Sequence, residues 1–228
     1  MKLDVFNLKG EGTGKIEVSD SVFNVPVNEA VVHQALVMQL ANRRQGTADT
    51  QTRSDVKRST RKMYAQKHTG RARRGSATSP LLKGGSVVFG PHPRSYRLEM
   101  PKKMRRLALR SVLSGKVRDG ELKIVKKLEL EEPKTKLMNL ILDALGVEDT
   151  AIIGVALSND YITQAAANVP GIKTTMVSLL NVADLLSHKM LLLDVDAVRK
   201  IELLWGLEDT TKAKAKAKTK AKAGKATG

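Results

Sequence analysis

Cysteine is absent from this chain of 228 residues, so disulfide bonds and thiolate chemistry are excluded. The chain has four histidines, His33, His68, His92 and His188, and they are scattered along the sequence. His33 falls within a predicted helix and has no second histidine at the spacing of a metal site. We therefore expect neither a bound metal nor a cofactor.

Long apolar runs are also lacking. No run approaches the length needed to cross a bilayer, and the first residues, Met1 to Asp4, do not form the apolar core of a signal peptide. Nothing in the composition points to an oxidising compartment. The chain is therefore expected to be cytoplasmic.

Catalytic motifs are missing as well. The sequence contains no nucleophile elbow, no Walker-type loop and no glycine-rich turn that joins a first strand to a helix. The glycines between Gly10 and Gly14 invite comparison with a phosphate-binding loop, but the segment that follows them is another short strand. A hairpin turn is the better interpretation, and we do not expect an enzyme.

Positive charge is abundant and unevenly distributed. The net charge is +17, and the segment from Arg43 to Arg97 accounts for +12 because its fourteen basic residues face only Asp49 and Asp55. The basic residues are Arg43, Arg44, Arg53, Lys57, Arg58, Arg61, Lys62, Lys67, Arg71, Arg73, Arg74, Lys83, Arg94 and Arg97. The end of the chain, from Lys212 to Gly228, adds seven lysines and no acid, so the remainder sums to −2. Charge confined to two segments is typical of a protein that binds a polyanion such as nucleic acid.

The basic segment is predicted to be an extended loop. Large apolar residues are nearly absent from it until Val87, so it cannot bury enough surface to offset its ordering entropy and should be disordered without a partner. Its run from Lys67 to Ser76 alternates cations with small residues, which lets the backbone approach phosphates closely. Its only aromatics are Tyr64, Phe89 and Tyr96, which suits threading through folded RNA better than a single-strand stacking platform.

Two helices are predicted to flank the loop. Asn28 is the expected N-cap of the first, which runs from Glu29 to about Arg43. Its apolar stripe is Val32, Ala35, Leu36, Gln39 and Leu40. Pro101 opens the second, from Lys102 to Val117.

The second helix has one apolar and one basic face. Met104, Leu107, Ala108 and Val112 form the first, and Lys102, Lys103, Arg105, Arg106, Arg110 and Lys116 share the other with Leu109 and Leu113. This helix is either a core helix with a solvated charged face or a helix whose outer face lies against phosphates. The density of cations next to the loop in sequence favours the second interpretation.

From Glu121 onward, short apolar runs alternate with helical segments. Strands are predicted at Leu122–Val125, Ala151–Leu157, Ile172–Val177 and Met190–Leu193. Helices are predicted at 134–145 (with Leu137, Leu140, Ile141 and Ala144 inward), from Asn159 or Asp160 to Val169, from Asn181, and from Asp194 or Asp196 to Gly206. This alternation predicts an α/β fold in three layers, a parallel sheet of about four strands covered by helices and interrupted by the basic loop.

The predicted organisation has three parts. Residues 1–43 and 98–206 form a single globular α/β domain, since about 155 residues are enough for one sizeable core. Residues 44–97 are the extended loop. Residues 207–228 are a disordered Lys/Ala-rich tail, because lysines at every second position repel one another.

Several motifs resemble the bacterial-type L-four family of large-subunit ribosomal proteins, and the resemblance runs from about Phe6 to Leu204. The motifs are Arg44-Gln45-Gly46-Thr47, Thr69-Gly70-Arg71-Ala72-Arg73-Arg74-Gly75-Ser76, Ser79-Pro80, the segment from Gly84 to Tyr96, Pro101 to Ser111, and Pro133-Lys134-Thr135-Lys136. One segment departs from the pattern: where the family commonly has Pro-Trp-Arg before Gln-Lys-Gly, this chain has Met63-Tyr64-Ala65 before Gln66-Lys67-His68.

The resemblance implies a structural ribosomal protein whose loop penetrates ribosomal RNA (rRNA) and helps to form the narrow part of the nascent-peptide exit tunnel. The expected rRNA contacts are the basic residues of the loop from Arg43 to Arg94, together with Lys102, Lys103, Arg105, Arg106 and Arg110. The expected tunnel-lining tip is Tyr64, Gln66, Lys67, His68, Thr69, Gly70 and Arg71. The implied partners are large-subunit rRNA, neighbouring ribosomal proteins and, transiently, the nascent polypeptide, with no membrane and no homo-oligomer.

Two alternatives from other functional classes remain open at this point. An RNA-modifying enzyme with a basic substrate loop would need a cofactor crevice at the strand ends, and no residues are evident to line one. A DNA-compacting protein is suggested by the Lys/Ala tail, and it would bind random DNA as tightly as large-subunit RNA.

Overall fold

A computed structural model describes residues 1–130, 132–147 and 149–206 of the chain. The described residues fall into two compact units, one made of Met1–Leu40 and the chain from Glu99 onward, the other of Ala41–Leu98. The predicted disordered tail, residues 207–228, lies outside the described residues. None of the described helices is both long enough and apolar enough to cross a membrane.

The first unit is built on a mixed sheet of six strands. They are β1 (Lys2–Phe6), β2 (Gly12–Glu17), β3 (Leu122–Val125), β4 (Ala151–Val155), β5 (Ile172–Met176) and β6 (Met190–Asp194). The strand order is β2-β1-β3-β6-β4-β5, in which β1 and β2 are antiparallel and every other neighbouring pair is parallel. The turn around Gly10 is thus a hairpin turn, as predicted.

The expected number of strands was wrong, because the N-terminal hairpin is part of the sheet. Val5 and Phe6 pair in parallel with Ile124 and Val125, which extends the sheet beyond β3. Val5 is buried, so this pairing places an apolar residue of the hairpin in the core. Periodicity within so short a strand cannot show which distant strand it joins.

The helices are α1 (Asp20–Phe23), α2 (Glu29–Arg43), α3 (Lys102–Arg118), α4 (Thr135–Ala144), α5 (Asp160–Ala167), α6 (Val182–Ser187) and α7 (Val195–Trp205), with a 3-10 turn at Val177–Leu179. Side-chain caps begin several of them, as predicted. The side-chain oxygen of Asn159 accepts a hydrogen bond from the backbone N–H of Tyr161 at 3.0 Å, and Asp194 accepts one from Ala197 at 2.6 Å. These bonds satisfy donors that the first turn of a helix leaves free.

The core lies on both faces of the sheet. Successive residues of β6 alternate between the faces, so that Leu191 and Leu193 pack with α1, α3, α6 and α7. Leu192 packs on the other side with α4 and α5. The unit therefore has three layers, as expected for an α/β fold in which each sheet face must be covered.

Some predicted helix faces were right only in part, although Ala35, Ala108 and Val112 are buried as predicted. In α2 the buried residues are Ala35 and Met38, whereas Leu40 is half exposed. In α3 Leu113 is fully buried, although it had been placed on the basic face. In α4 Met138 and Leu142 are buried while Leu140 and Ala144 are exposed. An apolar stripe wide enough to offer two faces does not show which face meets the sheet.

Candidate nucleic-acid interface

The second unit consists of two segments of the chain, an outgoing leg before Lys67 and a returning leg after Arg71. Hydrogen bonds join the two legs of the unit. At its root, the N–H of Leu98 donates to the side-chain oxygen of Asn42 at 2.8 Å, and the Asn42 amide donates to the carbonyl of Leu98 at 3.2 Å. Farther out, the N–H of Val87 donates to Gln51 at 3.1 Å and that of Met63 to Gly75 at 3.1 Å. The composition had predicted a segment without structure of its own and did not predict this pairing.

Glycine permits the close approach of the two legs near the root. Gly46 has a φ of +70°, and a Cβ atom there would lie 2.1 Å from the carbonyl oxygen of Arg94. The same two residues are joined by a hydrogen bond from the Arg94 N–H to the Gly46 carbonyl at 3.1 Å. A side chain at position 46 would therefore force the legs apart.

Small polar residues replace an apolar core in the middle of this unit. Ser76, Thr78 and Ser86 are buried, and the hydroxyl oxygens of Ser76 and Thr78 are 2.8 Å apart. The N–H of Ser86 donates to the carbonyl of Thr78, and the Arg53 guanidinium donates to the Ser76 hydroxyl at 3.4 Å. Since buried polar groups are stable only when hydrogen-bonded, this network explains how a segment with few apolar residues keeps a defined form.

All fourteen basic side chains between Arg43 and Arg97 are exposed. The segment has only two carboxylates, and both interact with groups other than the lysines and arginines. Asp49 lies 3.0 Å from His92, and hydrogen bonds from the Thr52 hydroxyl and N–H lower the pKa of Asp55. Within the described part of the chain, no basic residue from Arg44 to Arg97 forms an ion pair with a carboxylate. The positive field of this unit is therefore left for an external anion.

Three residues from the two legs form a stack at the root. The guanidinium carbon of Arg44 lies 3.6 Å from the centre of the Tyr96 ring, and that of Arg94 lies 4.6 Å from it. A hydrogen bond from Arg94, together with the charges of both guanidinium groups, lowers the pKa of Tyr96. One aromatic ring thus holds two cations in fixed positions.

This stack lines a concavity of about 690 Å³. Its walls also include Asn42, Gln45 and Arg97, and they contain no carboxylate. Three guanidinium groups around one hollow can bind phosphate oxygens in pairs. Local sequence could not have revealed this site, because Arg44 and Tyr96 lie at opposite ends of the loop.

The predicted tip residues lie where the two legs meet. Lys67, His68, Thr69, Gly70 and Arg71 are all exposed. His68 has a φ of +64° and Gly70 a φ of +63°, which turns the chain back on itself. Beside the tip, the Tyr64 hydroxyl donates to the carbonyl of Ala72, and the Lys62 ammonium donates to the side-chain carbonyl of Gln66.

The basic side chains that were predicted to bind phosphate are not all equally available to it. The guanidinium of Arg58 donates to the carbonyl of Lys83 at 2.8 Å and lies against Gly84, so Arg58 also joins the two legs. Arg71, Arg73 and Arg74 are exposed as well, and within the described part of the chain their guanidinium groups form no such hydrogen bond. These three side chains are the more direct candidates for phosphate contacts.

In the first unit, cations gather at the start of α3. Lys102, Lys103, Arg105 and Arg106 are exposed, and the first turn contains no acidic residue. The positive end of a helix disfavours cations, so an anion bound there would relieve repulsion. Arg110 is half-buried, and burial followed by the charge of Arg106 lowers the pKa of this guanidinium.

Lys116 does not belong to the basic face on which the sequence placed it. Its side chain is about 10% exposed, and its ammonium lies 2.6 Å from a carboxylate oxygen of Glu121. The same ammonium donates to the carbonyl oxygens of His188 and Lys189 at 2.9 and 2.7 Å. Lys116 is therefore a structural residue that ties α3 to the chain before β6.

The crevice at the carboxyl ends of β4 and β6 is acidic. It has a volume of about 470 Å³, and Asp160, Asp194, Asp196 and Glu129 line it beside Lys127. Burial raises the pKa of Asp194. In many α/β enzymes this crevice binds phosphate-bearing cofactors, but carboxylates at such a position repel phosphate. Nucleic acid is better matched by the cations of α3 and by those of the second unit.

The comparisons with known proteins all indicate one family of ribosomal proteins. The family model described as the ribosomal protein L4/L1 family matches residues 16–203. A protein of Dehalococcoides mccartyi named large ribosomal subunit protein uL4 is 48% identical over 206 residues, which cover 90% of this chain and 98% of that protein. Proteins of the same name from Desulforudis audaxviator and Symbiobacterium thermophilum are 50% identical over 198 residues and 47% over 205, covering 87% and 90% of this chain and 96% and 99% of theirs.

Proposed function

The chain belongs to the ribosomal protein L4/L1 family, and from this premise we propose that it is a structural constituent of the large ribosomal subunit that binds rRNA. Its place is the ribosome in the cytoplasm, among rRNA and other ribosomal proteins. Its role is structural, not enzymatic. Family membership also favours this function over an RNA-modifying enzyme or a DNA-compacting protein.

The observation that supports rRNA binding most strongly is the uncompensated charge of the paired legs. Their basic side chains are exposed, and both carboxylates of the segment are held by His92 and Thr52. A surface of this kind gains free energy by displacing the counterions of a polyanion. Because the legs are narrow and hydrogen-bonded to each other, they can enter a gap in folded RNA and meet phosphates on several sides.

Within this function, the residues have different roles. Arg71, Arg73 and Arg74 would bind phosphates near the tip, and Arg44 and Arg94 would bind them at the root. Lys102, Lys103, Arg105 and Arg106 would form a second contact at the start of α3. Residues 1–43 and 98–206 would act as one domain that anchors the protein, while 44–97 would act as the extended loop.

The tip is the part that we assign to the nascent-peptide exit tunnel. Tyr64, Gln66, His68, Thr69 and Gly70 would line its narrow part together with the adjacent cations. A nascent polypeptide would then touch these residues transiently. We propose that the protein is present as a single copy in contact with other ribosomal proteins and does not form homo-oligomers.

Binding to RNA can be tested with a transcript of the large-subunit rRNA and with random duplex DNA in the same salt. Replacing Arg71, Arg73 and Arg74 together with Ala should weaken RNA binding and reduce the slope of log affinity against log salt by about two to three. The body should still unfold cooperatively. A matched variant lacks three exposed lysines that pair with acids elsewhere, Lys2, Lys15 and Lys134, and it should retain the slope. Equal affinity of the wild-type protein for DNA and rRNA would contradict the proposal.

A further inference from the structure

Phe89 is the most conspicuous side chain of the second unit that phosphate binding does not explain. Its side chain is fully exposed, with a relative accessibility of 103%. Its φ is +52°, in the left-handed region that bulky residues rarely occupy. Exposure of the aromatic ring to water costs free energy, and so does the disfavoured backbone conformation. Backbone strain of this kind persists where the surrounding structure imposes it.

The surroundings of Phe89 fix its backbone from both sides. Before it, the N–H of Val87 donates to the carbonyl of Gln51 at 3.1 Å. After it, the hydroxyl of Thr50 donates to the carbonyl of Pro91 at 3.1 Å. Gly90 lies so close to the other leg that a Cβ atom there would be 2.1 Å from the Thr50 hydroxyl. The turn is thus attached to the outgoing leg, and the ring of Phe89 points into solvent.

The chemistry around the ring selects its partner. Val87 and Val88 are also half exposed, so the turn offers a small apolar surface. This surface belongs to a segment with a net charge of +12, and such a charge attracts RNA. Phe has no hydrogen-bonding group, so it can recognise a base only through its face. Any unpaired base can provide a face for stacking.

We propose that Phe89 stacks on an unpaired base of the large-subunit rRNA, and that the turn from Val87 to Pro91 holds the ring for this purpose. This inference rests on the proposed function, because it assumes that the second unit lies in rRNA. It adds a contact that is independent of charge. The ring would therefore raise affinity without adding to the salt dependence.

Four variants test the contact with a transcript of the large-subunit rRNA as the probe. Phe89→Gly removes the ring and suits the positive φ, so the turn is kept. Phe89→Leu keeps an apolar side chain without an aromatic face, and Phe89→Tyr and Phe89→Trp keep the face. We expect Gly and Leu to weaken binding about tenfold with an unchanged salt slope, and Tyr and Trp to remain close to wild type.

Fluorescence provides a second measurement in the full-length protein. With Trp205 replaced by Phe, the Phe89→Trp variant has a single tryptophan, and stacking on a base should quench its emission as the transcript saturates. Wild-type affinity of the Leu variant alongside a weak Gly variant would show that an apolar contact without an aromatic face is sufficient, and it would overturn the proposal. Wild-type affinity of the Gly variant, or unchanged emission at saturation, would also overturn it. If the wild-type protein does not prefer rRNA to duplex DNA, the proposed function itself fails.

Discussion

Arg44 and Tyr96 lie 52 positions apart in the sequence, yet the guanidinium carbon of Arg44 sits 3.6 Å from the centre of the Tyr96 ring. The contact joins the outgoing leg of the loop to the returning one. Because Arg94 also lies over this ring, at 4.6 Å, the stack closes the root of the loop and fixes the positions of two exposed cations.

Replacing Tyr96 tests the importance of this stack. Tyr96→Leu removes the aromatic face and should weaken binding to the rRNA transcript about two- to fivefold, the value of a cation–π contact at an exposed site. Tyr96→Phe keeps the face and should remain within about twofold of wild type, a range smaller than the loss of that contact. Filter binding at fixed salt measures both. Wild-type affinity of the Leu variant would show that the stack does not position the arginines.

Lys116 and Lys103 on the same helix provide a contrast between a structural cation and an exposed cation that we propose to bind RNA. Lys116→Met leaves Glu121 without its partner in a largely buried place and should lower the free energy of unfolding by about 3 kcal/mol. Lys103→Met, at an exposed position, should change stability by less than about 0.5 kcal/mol. Chemical denaturation measures both effects. RNA binding should weaken for Lys103→Met, and a stable Lys116→Met variant would contradict the structural role.

Asp194 should make stability depend on pH in a definite direction. Burial raises its pKa in the folded state, so the folded protein holds this proton at a pH where the unfolded chain has lost it. Its contribution to stability is therefore greatest at low pH and decreases as pH rises from the unfolded value through the folded pKa. Asp194→Asn does not titrate there and retains a capping oxygen. Its stability relative to wild type should increase from about pH 3 to about pH 7, as measured by denaturation at each pH.

The Ala variant at the same position separates the cap from the charge. Asp194→Ala loses the hydrogen bond from the Ala197 N–H and should be about 1 kcal/mol less stable than Asp194→Asn at neutral pH. A difference between Asn and wild type that stays constant over this pH range would show that burial does not raise the pKa of Asp194.

Excision of the loop tests the division between body and loop. Asn42 and Leu98 are hydrogen-bonded to each other at the root, so a short Gly/Ser linker can replace residues 44–96. The body should then unfold cooperatively with a stability close to that of the full chain, because the core of the first unit does not use these residues. Calorimetry or denaturant titration measures this. A broad, non-cooperative transition would contradict the division.

Much of the body could be predicted from sequence, because helix periodicity and caps are local. Asn159 and Asp194, each one of two candidates predicted for its helix, cap the helices that follow them, and β3 has its predicted ends. The place of the N-terminal hairpin in the sheet could not be predicted, since pairing between β1 and β3 joins segments more than a hundred residues apart. The buried side of α4 was predicted only in part, since Leu137 and Ile141 pack against the core but Leu140 and Ala144 are exposed.

The positive charge of the candidate site could be predicted from the sequence, but its three-dimensional arrangement could not. Net charge predicted that the loop binds a polyanion. The resemblance to the L-four family implied that its tip lies at the nascent-peptide exit tunnel. Composition could not reveal that Ser76, Thr78 and Ser86 form a buried network, because these residues are exposed in most proteins. It also could not separate Lys116 from its basic neighbours, since only the fold brings Glu121 and two carbonyl groups to its ammonium.

Contacts with rRNA should hold this protein in the large ribosomal subunit. Fractionation of ribosomes from the native organism, followed by a high-salt wash of the separated subunits, tests it most directly. The protein should remain with the large subunit after the wash, because buried phosphate contacts are screened less than exposed ones. Recovery of the protein only in the soluble fraction would contradict it.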